Sequence, residues 1–149
     1  MYLGNLMISI HNIYLVTPFL VWFIVGFLKF LINSFKIKRL AFGLIGYGGM
    51  PSNHSAIVCS MASLIFFDKG INDPAFGVAM TLAFIVLLDA KNLRGQVGLH
   101  AKALNQLNKF SKKRIVLRDR IGHSYVEIAS GCFVGVLVAY VVYKMAIFL

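Results

Sequence analysis

Hydrophobic residues dominate four stretches of this chain, and polar residues collect in the segments between them. The apolar stretches cover residues 13–32, 51–67, 75–88 and 122–147. About 20 apolar residues are enough for a helix to cross a bilayer, so the pattern predicts four transmembrane helices. The second stretch is short, which we explain by a helix whose N-terminus is sunk below the membrane surface.

A fifth stretch, residues 95–113, is amphipathic. Leu99, Ala103, Leu107 and Phe110 recur at helical spacing on one side, with His100, Lys102 and Lys109 elsewhere. This pattern predicts a helix that lies on the membrane surface or against the bundle. We therefore expect an all-α integral membrane bundle of about four transmembrane helices plus one amphipathic interfacial helix, with residues 1–149 forming a single domain.

Composition supports a membrane protein and excludes a nucleic-acid-binding one. The chain has 149 residues, of which 59% are hydrophobic and only 13% are charged, yet its formal net charge is +10. Its mean hydropathy is +0.80. A chain this apolar does not suit a soluble domain, and its basic excess is typical of charges gathered at one membrane interface. No soluble basic face remains to bind nucleic acid.

Small residues inside the apolar stretches indicate packing rather than chemistry. Cys59 and Cys132 have no CxxC spacing, so we interpret them as packed thiols and not as a disulfide or a metal site. Gly131 and Gly135 form a small-xxx-small pair, which is typical of two helices in close contact.

The first candidate for chemistry is the glycine-rich turn at residues 48–55. Gly48 and Gly49 would let the backbone approach a ligand, and Pro51 suits the first turn of a helix. From Ser52 onward, free N–H groups and the helix dipole would then form an anion site. His54 lies where it could pass a proton to the bound anion. The alternative is a helix cap that happens to contain a histidine.

The second candidate is the pair formed by His123 and Glu127, which lies at the start of the last span. Residues four apart are neighbours on one helix face, so the carboxylate would fix the tautomer of the imidazole. The other ring nitrogen would be free to attack an electrophile. The alternative is an interfacial ion pair that only holds helix ends together.

The third candidate is Arg94, whose planar fork suits phosphate and which follows Asp89 at the end of the third span. The alternative is an arginine that snorkels to the interface. With four alternating spans, the same membrane face receives Lys29, the first turn of the second span, Arg94 and His123. Polar groups remote in sequence are therefore expected to meet.

Together these stretches resemble a known family. Gly-Gly-Met-Pro-Ser-Asn-His-Ser-Ala at 48–56, Asp-Ala-Lys-Asn-Leu-Arg at 89–94 and Gly-His-x-x-x-Glu-Ile at 122–128 are similar to motifs of the divergent branch of the type 2 phosphatidic acid phosphatase superfamily. The superfamily also contains the vanadium haloperoxidases. The resemblance implies an all-α, membrane-embedded phosphatase-like domain that hydrolyses phosphomonoesters or pyrophosphates through a phosphohistidine. It implies no cofactor, and we expect no metal site.

The resemblance also implies a role for each matching residue. His123 would be the nucleophile, Glu127 its orienting carboxylate and His54 the general acid. The phosphate-binding residues would be Lys29, Ser52, Asn53, Arg94, Arg118 and Arg120. Supporting positions would be Gly48, Gly49, Pro51 and Asp89.

Three departures from the family pattern concern the phosphate-binding part of the site. Asn53 stands where the superfamily has glycine and this branch usually has serine. Leu117 occupies the position of an arginine six residues before the nucleophile, and Gly95 replaces a second arginine after Arg94. These changes leave the nucleophile and the acid intact.

The sequence therefore predicts a metal-independent lipid phosphatase. Its substrate would be a polyprenyl, phosphatidyl or lipid-linked sugar phosphate, and its other partners would be membrane lipids, with a homo-oligomer left open. A non-catalytic lipid-phosphate binder or transporter could use the same anion site, and a small structural membrane subunit is a third alternative.

The basic residues predict the orientation. Residues 33–39 and 95–120 hold most of the Lys and Arg, whereas residues 68–74 have no basic excess. The positive-inside rule puts the two basic segments, and the site with them, on the cytoplasmic face. We expect a prokaryotic cytoplasmic (inner) membrane protein.

Overall fold

The described part of the chain folds into four α-helices. The computed structural model describes residues 2–40, 49–110, 115–119 and 121–148. Within these ranges the helices are α1 (Tyr2–Ile37), α2 (Asn53–Lys69), α3 (Pro74–Leu107) and α4 (Tyr125–Phe148), with a short 3-10 turn at Asn108–Phe110. The described ranges contain no strand. The expected all-α bundle is confirmed.

Three of these helices are long and apolar enough to cross a membrane. They are Asn12–Ile37 within α1, α3 and α4, with mean hydropathies of 2.2, 1.6 and 2.0 for the described residues. The shorter α2 has 17 residues, or about 26 Å at the helical rise. It contacts each of the other three helices. This short helix therefore lies at the centre of the bundle, among the three long ones.

α2 and α4 lie in direct backbone contact, as the Gly131-xxx-Gly135 spacing predicts. A Cβ atom added at Gly131 would lie 2.4 Å from the carbonyl oxygen of Ser52, and one added at Gly135 would lie 2.3 Å from that of Ala56. Both distances are too short for real atoms. The two glycines thus allow α4 to approach the N-terminal half of α2.

The amphipathic segment is not a separate helix. α3 begins at Pro74, where the side chain of Asp73 accepts a hydrogen bond from the N–H of Ala75 at 2.8 Å, and it continues unbroken to Leu107. Its 34 residues span about 51 Å, which exceeds the roughly 30 Å hydrocarbon core of a bilayer. Residues 95–107 of the predicted interfacial segment are therefore an extension of the third span, whereas residues 111–113 lie outside the described residues.

Polar side chains connect α1 and α2 at one end of the bundle. The hydroxyl of Tyr14 donates a hydrogen bond to the carboxylate of Asp68, and Lys69 Nζ lies 3.2 Å from the same carboxylate. The candidate site residues of α1 and α2, Lys29 and His54, lie about four turns away along each helix. The site and this polar cluster therefore lie at opposite ends of the bundle.

Candidate active site

The turn before α2 positions its first residues by capping. Ser52 is the N-cap, and its hydroxyl accepts hydrogen bonds from the N–H of Ser55 at 3.5 Å and from the hydroxyl of Ser55 at 2.9 Å. The Ser52 side chain is fully buried, so a phosphate could reach its hydroxyl only after a rearrangement. Pro51 precedes the cap and does not lie in the first helical turn as expected. Gly49 has a φ of +138°, which favours glycine, whereas Gly48 lies outside the described residues.

The first turn of α4 is closed by a capping box. The Ser124 hydroxyl accepts from the N–H of Glu127 at 3.2 Å, and Glu127 Oε2 accepts from the N–H of Ser124 at 2.8 Å. The same Oε2 lies 3.3 Å from His123 Nδ1. His123 therefore precedes the helix instead of sharing a helical face with Glu127 as expected. The capping box, and not helical spacing, brings carboxylate and imidazole together.

Backbone contacts with α3 fix the position of His123. Its N–H donates to the carbonyl oxygen of Ala90 at 3.1 Å, and the residue is only 7% exposed. Next to it, a Cβ atom added at Gly122 would lie 2.9 Å from the Cα of Gly95. The loop that carries the imidazole therefore lies directly against the backbone of α3.

α4 and α2 are also joined at the site. The N–H of Ser52 donates to the carbonyl oxygen of Glu127 at 2.9 Å. The residue that orients His123 thus also holds the N-cap of the helix that carries His54. A shift of either helix would change the relative position of the two histidines.

Arg94 connects α3 to His54. Its Nε donates to Asp89 Oδ2 at 2.8 Å, and its Nη1 lies 3.4 Å from His54 Nδ1. Arginine can only donate, so a hydrogen bond between these two atoms requires an unprotonated Nδ1 on His54. Partial desolvation of the imidazole lowers the pKa of His54, and the nearby positive charge of Arg94 lowers it further. Asp89 therefore holds one side of the guanidinium while the other side faces the general-acid candidate.

Lys29 and Asn53 lie beside these groups. Lys29, half-buried on α1, is close enough to Glu127 and His54 for their charges to interact. Asn53 is the first residue of α2, and its Oδ1 atom is buried without a hydrogen-bond partner in the described structure. Rotating the amide by 180° would place its NH2 group, a donor, at the buried position, because the two ends of the amide have nearly the same shape.

Two arginine candidates remain, Arg118 and Arg120, and both come after α3 in the sequence. The Asn105 side chain donates to the carbonyl of Leu117 at 2.7 Å and accepts from its N–H at 2.8 Å. Arg118 is exposed on this segment, residues 115–119. Arg120 lies outside the described residues. The segment is therefore aligned along α3 and leads into the loop that carries His123.

Comparison with known proteins identifies the family. Residues 10–138 match the model of the family described as "Divergent PAP2 family". The chain belongs to the divergent PAP2 family. This divergent PAP2 protein is 28% identical to a Bacillus subtilis (strain 168) protein named "Uncharacterized membrane protein YuiD", over 70% of this chain and 77% of the relative. No solved structure matches it. The protein is thus a phosphatase-related membrane protein, and the resemblance in its motifs is confirmed.

Two residues at the site of this divergent PAP2 protein were not among the predicted ones. Ser124 could have been recognised, because Ser-x-x-Glu at 124–127 is the sequence signature of a capping box. Ala90 could not, because it acts through its backbone carbonyl. Across the part of the chain that the structure describes, no group of three His, Cys, Asp or Glu could hold a metal ion.

Proposed function

We propose that this divergent PAP2 protein hydrolyses a phosphomonoester or pyrophosphate of a lipid through a phosphohistidine, without a metal. The observation that carries the proposal is the 3.3 Å approach of Glu127 Oε2 to Nδ1 of the buried His123. A carboxylate in this position keeps the proton on Nδ1 and leaves Nε2 unprotonated. Nε2 is then the nucleophile.

The first chemical step transfers the phosphoryl group. His123 Nε2 forms a bond to phosphorus while the bond from phosphorus to the lipid oxygen breaks. His54, protonated on both ring nitrogens at the start of the step, gives one proton to that oxygen and becomes neutral, and the oxygen leaves as a neutral hydroxyl or as a lipid phosphate. In-line displacement needs the acid and the nucleophile on opposite sides of the phosphorus. His54 lies on α2 and His123 lies in the loop before α4, so the two histidines belong to different elements.

The second step hydrolyses the phosphohistidine and regenerates the free enzyme. Water attacks the phosphorus of phosphohistidine, neutral His54 accepts its proton, and the bond from phosphorus to nitrogen breaks to release inorganic phosphate. His54 has then regained the proton that it gave away, and the cycle is balanced. A single histidine can serve both steps because its proton is lost in one and recovered in the other.

The phosphoryl oxygens would be held by Arg94, Lys29 and the N-terminus of α2. The bond from Arg94 Nε to Asp89 leaves the Nη atoms for phosphate. The N–H of Ser55 donates to the Ser52 hydroxyl. The preceding N–H groups of the first turn of α2 have no acceptor within the helix, and they carry the positive end of its dipole. Asn53, Arg118 and Arg120 remain candidates for further contacts. Arg94 would turn from His54 to the phosphate, which removes a positive charge from the imidazole as it becomes an acid.

A phosphate-release screen tests the proposal. Purified protein in detergent would be given polyprenyl, phosphatidyl and lipid-linked sugar phosphates in EDTA. We expect release from at least one class by the wild-type protein and none by His123→Ala. A lipid-phosphate binder or transporter would instead be stabilised against heat by these lipids without releasing phosphate. Activity that requires added Mg²⁺ would contradict the proposed chemistry.

A further inference from the structure

A lysine and a tyrosine that the proposed mechanism does not use lie at the edge of the site. Lys91 Nζ, on α3, sits 4.3 Å from the centroid of the Tyr125 ring. Tyr125 is the first residue of α4 and lies two residues after His123, and Lys91 follows Ala90, whose carbonyl binds the His123 backbone. The pair therefore forms a contact between α3 and α4 close to the His123 backbone.

Among the residues that the structure describes, Lys91 has no acidic partner. Lys91 and Arg94 are three residues apart, so they are neighbours on one face of α3. Within the described residues, Asp89 pairs with Arg94, Glu127 pairs with His123, and no carboxylate lies within ion-pair distance of Lys91. The ammonium group rests on an aromatic face instead, and the ring is 72% exposed. A cation held in this way can still take up an anion from the solvent side.

We propose that Lys91 and Tyr125 form a second anion subsite, which binds the phosphate of a lipid diphosphate that His123 does not attack. This inference rests on the proposed function and names its substrate class. One phosphoryl group is already served by Arg94, Lys29 and the start of α2. A further cation about one helical turn away is placed to meet a second phosphate that lies next to the first.

The subsite fits the proposed chemistry without adding a step. His123 Nε2 attacks the terminal phosphorus, the bond from that phosphorus to the bridging oxygen breaks, and His54 protonates the bridging oxygen. The products are a lipid monophosphate and, after hydrolysis of phosphohistidine, inorganic phosphate. Lys91 holds the inner phosphate throughout, and Tyr125 keeps the ammonium group at the edge of the site. Tyr125 therefore acts as a positioning residue.

The test compares two substrates that differ only in phosphate number, a polyprenyl diphosphate and the monophosphate with the same tail, both in EDTA. Lys91→Met should lower kcat/KM for the diphosphate about 10- to 100-fold, as expected for the loss of a charged hydrogen bond. It should change kcat/KM for the monophosphate less than about threefold. Tyr125→Leu should act in the same direction by about threefold.

Lys102→Met is the matched control, because Lys102 is an exposed lysine on the extension of the same helix. It should leave both substrates unchanged. Equal losses on the two substrates with Lys91→Met, or none on the diphosphate, would overturn the second subsite while leaving the phosphatase intact. If the wild-type protein releases phosphate from neither substrate but does so from another lipid phosphate, the subsite fails and the proposed phosphatase stands. Release from no lipid phosphate at all would overturn both.

Discussion

His123 is the residue at which three parts of the chain meet. Glu127 approaches its Nδ1 atom, Ala90 binds its backbone, and Gly122 lies against α3 beside it. A side chain held in this way loses little freedom when it reacts, because its orientation is already fixed. The loop is held to α3 through backbone atoms, so replacing the imidazole should leave the loop in place.

The first prediction follows for the nucleophile. His123→Ala should lower kcat for lipid phosphate release by about 10³-fold or more, whereas thermal unfolding in detergent should stay close to that of the wild-type protein. His100→Ala provides the control, because His100 is an exposed histidine on the extension of α3. Near-normal release by His123→Ala would mean that another group attacks phosphorus.

The second prediction separates the acid from the nucleophile. His54→Ala should slow the hydrolysis of lipid phosphates by about 10²- to 10⁴-fold. The rate of the first step with an activated aryl phosphate should fall far less, because its leaving group departs without a proton. The burst of released aryl alcohol measures that step alone. Equal losses on both substrates would show that His54 binds phosphate and does not protonate the leaving group.

The third prediction concerns pH. An acid must start protonated, so kcat/KM should fall as the pH rises through the pKa of His54, which burial and the charge of Arg94 hold below its usual value. Arg94→Gln removes the charge and should move this descending limb to higher pH, even though phosphate binding is weaker. Arg94→Lys keeps the charge and should leave the limb near its wild-type position. A limb that is the same in all three proteins would remove His54 as its source.

For single residues, the sequence predicted which side chains meet better than it predicted how they are arranged. His54 and Arg94 are 40 residues apart, and their meeting followed from the alternation of spans and from the family motifs. The positions of Pro51 and Ser52 were not foreseen, because they depend on where the first turn of α2 begins. The contribution of Ala90 could not be foreseen at all, since a backbone carbonyl carries no mark in the sequence.

Among the helices, the contact between α2 and α4 matters most for the site. Gly131 lies against Ser52, the N-cap of α2, so the close approach of the two helices also sets the position of His54. Small residues at such contacts let backbones pack, which is the main source of helix association in a membrane. The Gly-xxx-Gly spacing made this contact predictable. The unbroken course of α3 was not predicted, because a change from apolar to amphipathic sequence was interpreted as a helix boundary.

The fourth prediction tests this contact. Gly131→Ala would place a Cβ atom 2.4 Å from the Ser52 carbonyl oxygen, so α2 and α4 must separate, at a cost of about 1–3 kcal/mol. Unfolding in detergent should occur at lower temperature, and phosphate release should fall because the N-cap of α2 moves. Gly77→Ala on α3 is the matched control, since an added Cβ atom meets nothing within 4 Å there. It should be neutral or stabilising, and equal effects of both changes would contradict the packing account.

For the whole molecule, the structure separates two ends of the bundle. Lys29, His54, Arg94 and His123 lie at one end, and the tie between Tyr14 and Asp68 lies at the other. The extension of α3 continues from the site end. Lys36, in the last turn of α1, and Lys38, just after that helix, add positive charge at the same end. By the positive-inside rule we propose that this end faces the cytoplasm.

The fifth prediction tests that orientation with single cysteines in a background that lacks Cys59 and Cys132. Lys102→Cys lies on the exposed extension of α3, and Ile71→Cys lies in the exposed turn at the far end. A membrane-impermeant maleimide should label intact cells at Ile71→Cys, and should label Lys102→Cys only after permeabilisation. The reverse pattern would place the site on the outer face and leave the chemistry untouched.

The most direct test of the central claim is detection of the phosphoryl group on the enzyme. The His54→Ala protein should still take the phosphoryl group from an activated aryl phosphate. It should hydrolyse the resulting phosphohistidine slowly, because the base that activates water is missing. Phosphohistidine should therefore accumulate. Peptide mass spectrometry after an alkaline quench, which preserves the phosphorus–nitrogen bond, should locate the phosphoryl group on His123. The adduct should be absent from the His54→Ala/His123→Ala protein. An adduct on another residue, or phosphate release with no adduct at any time, would contradict the account.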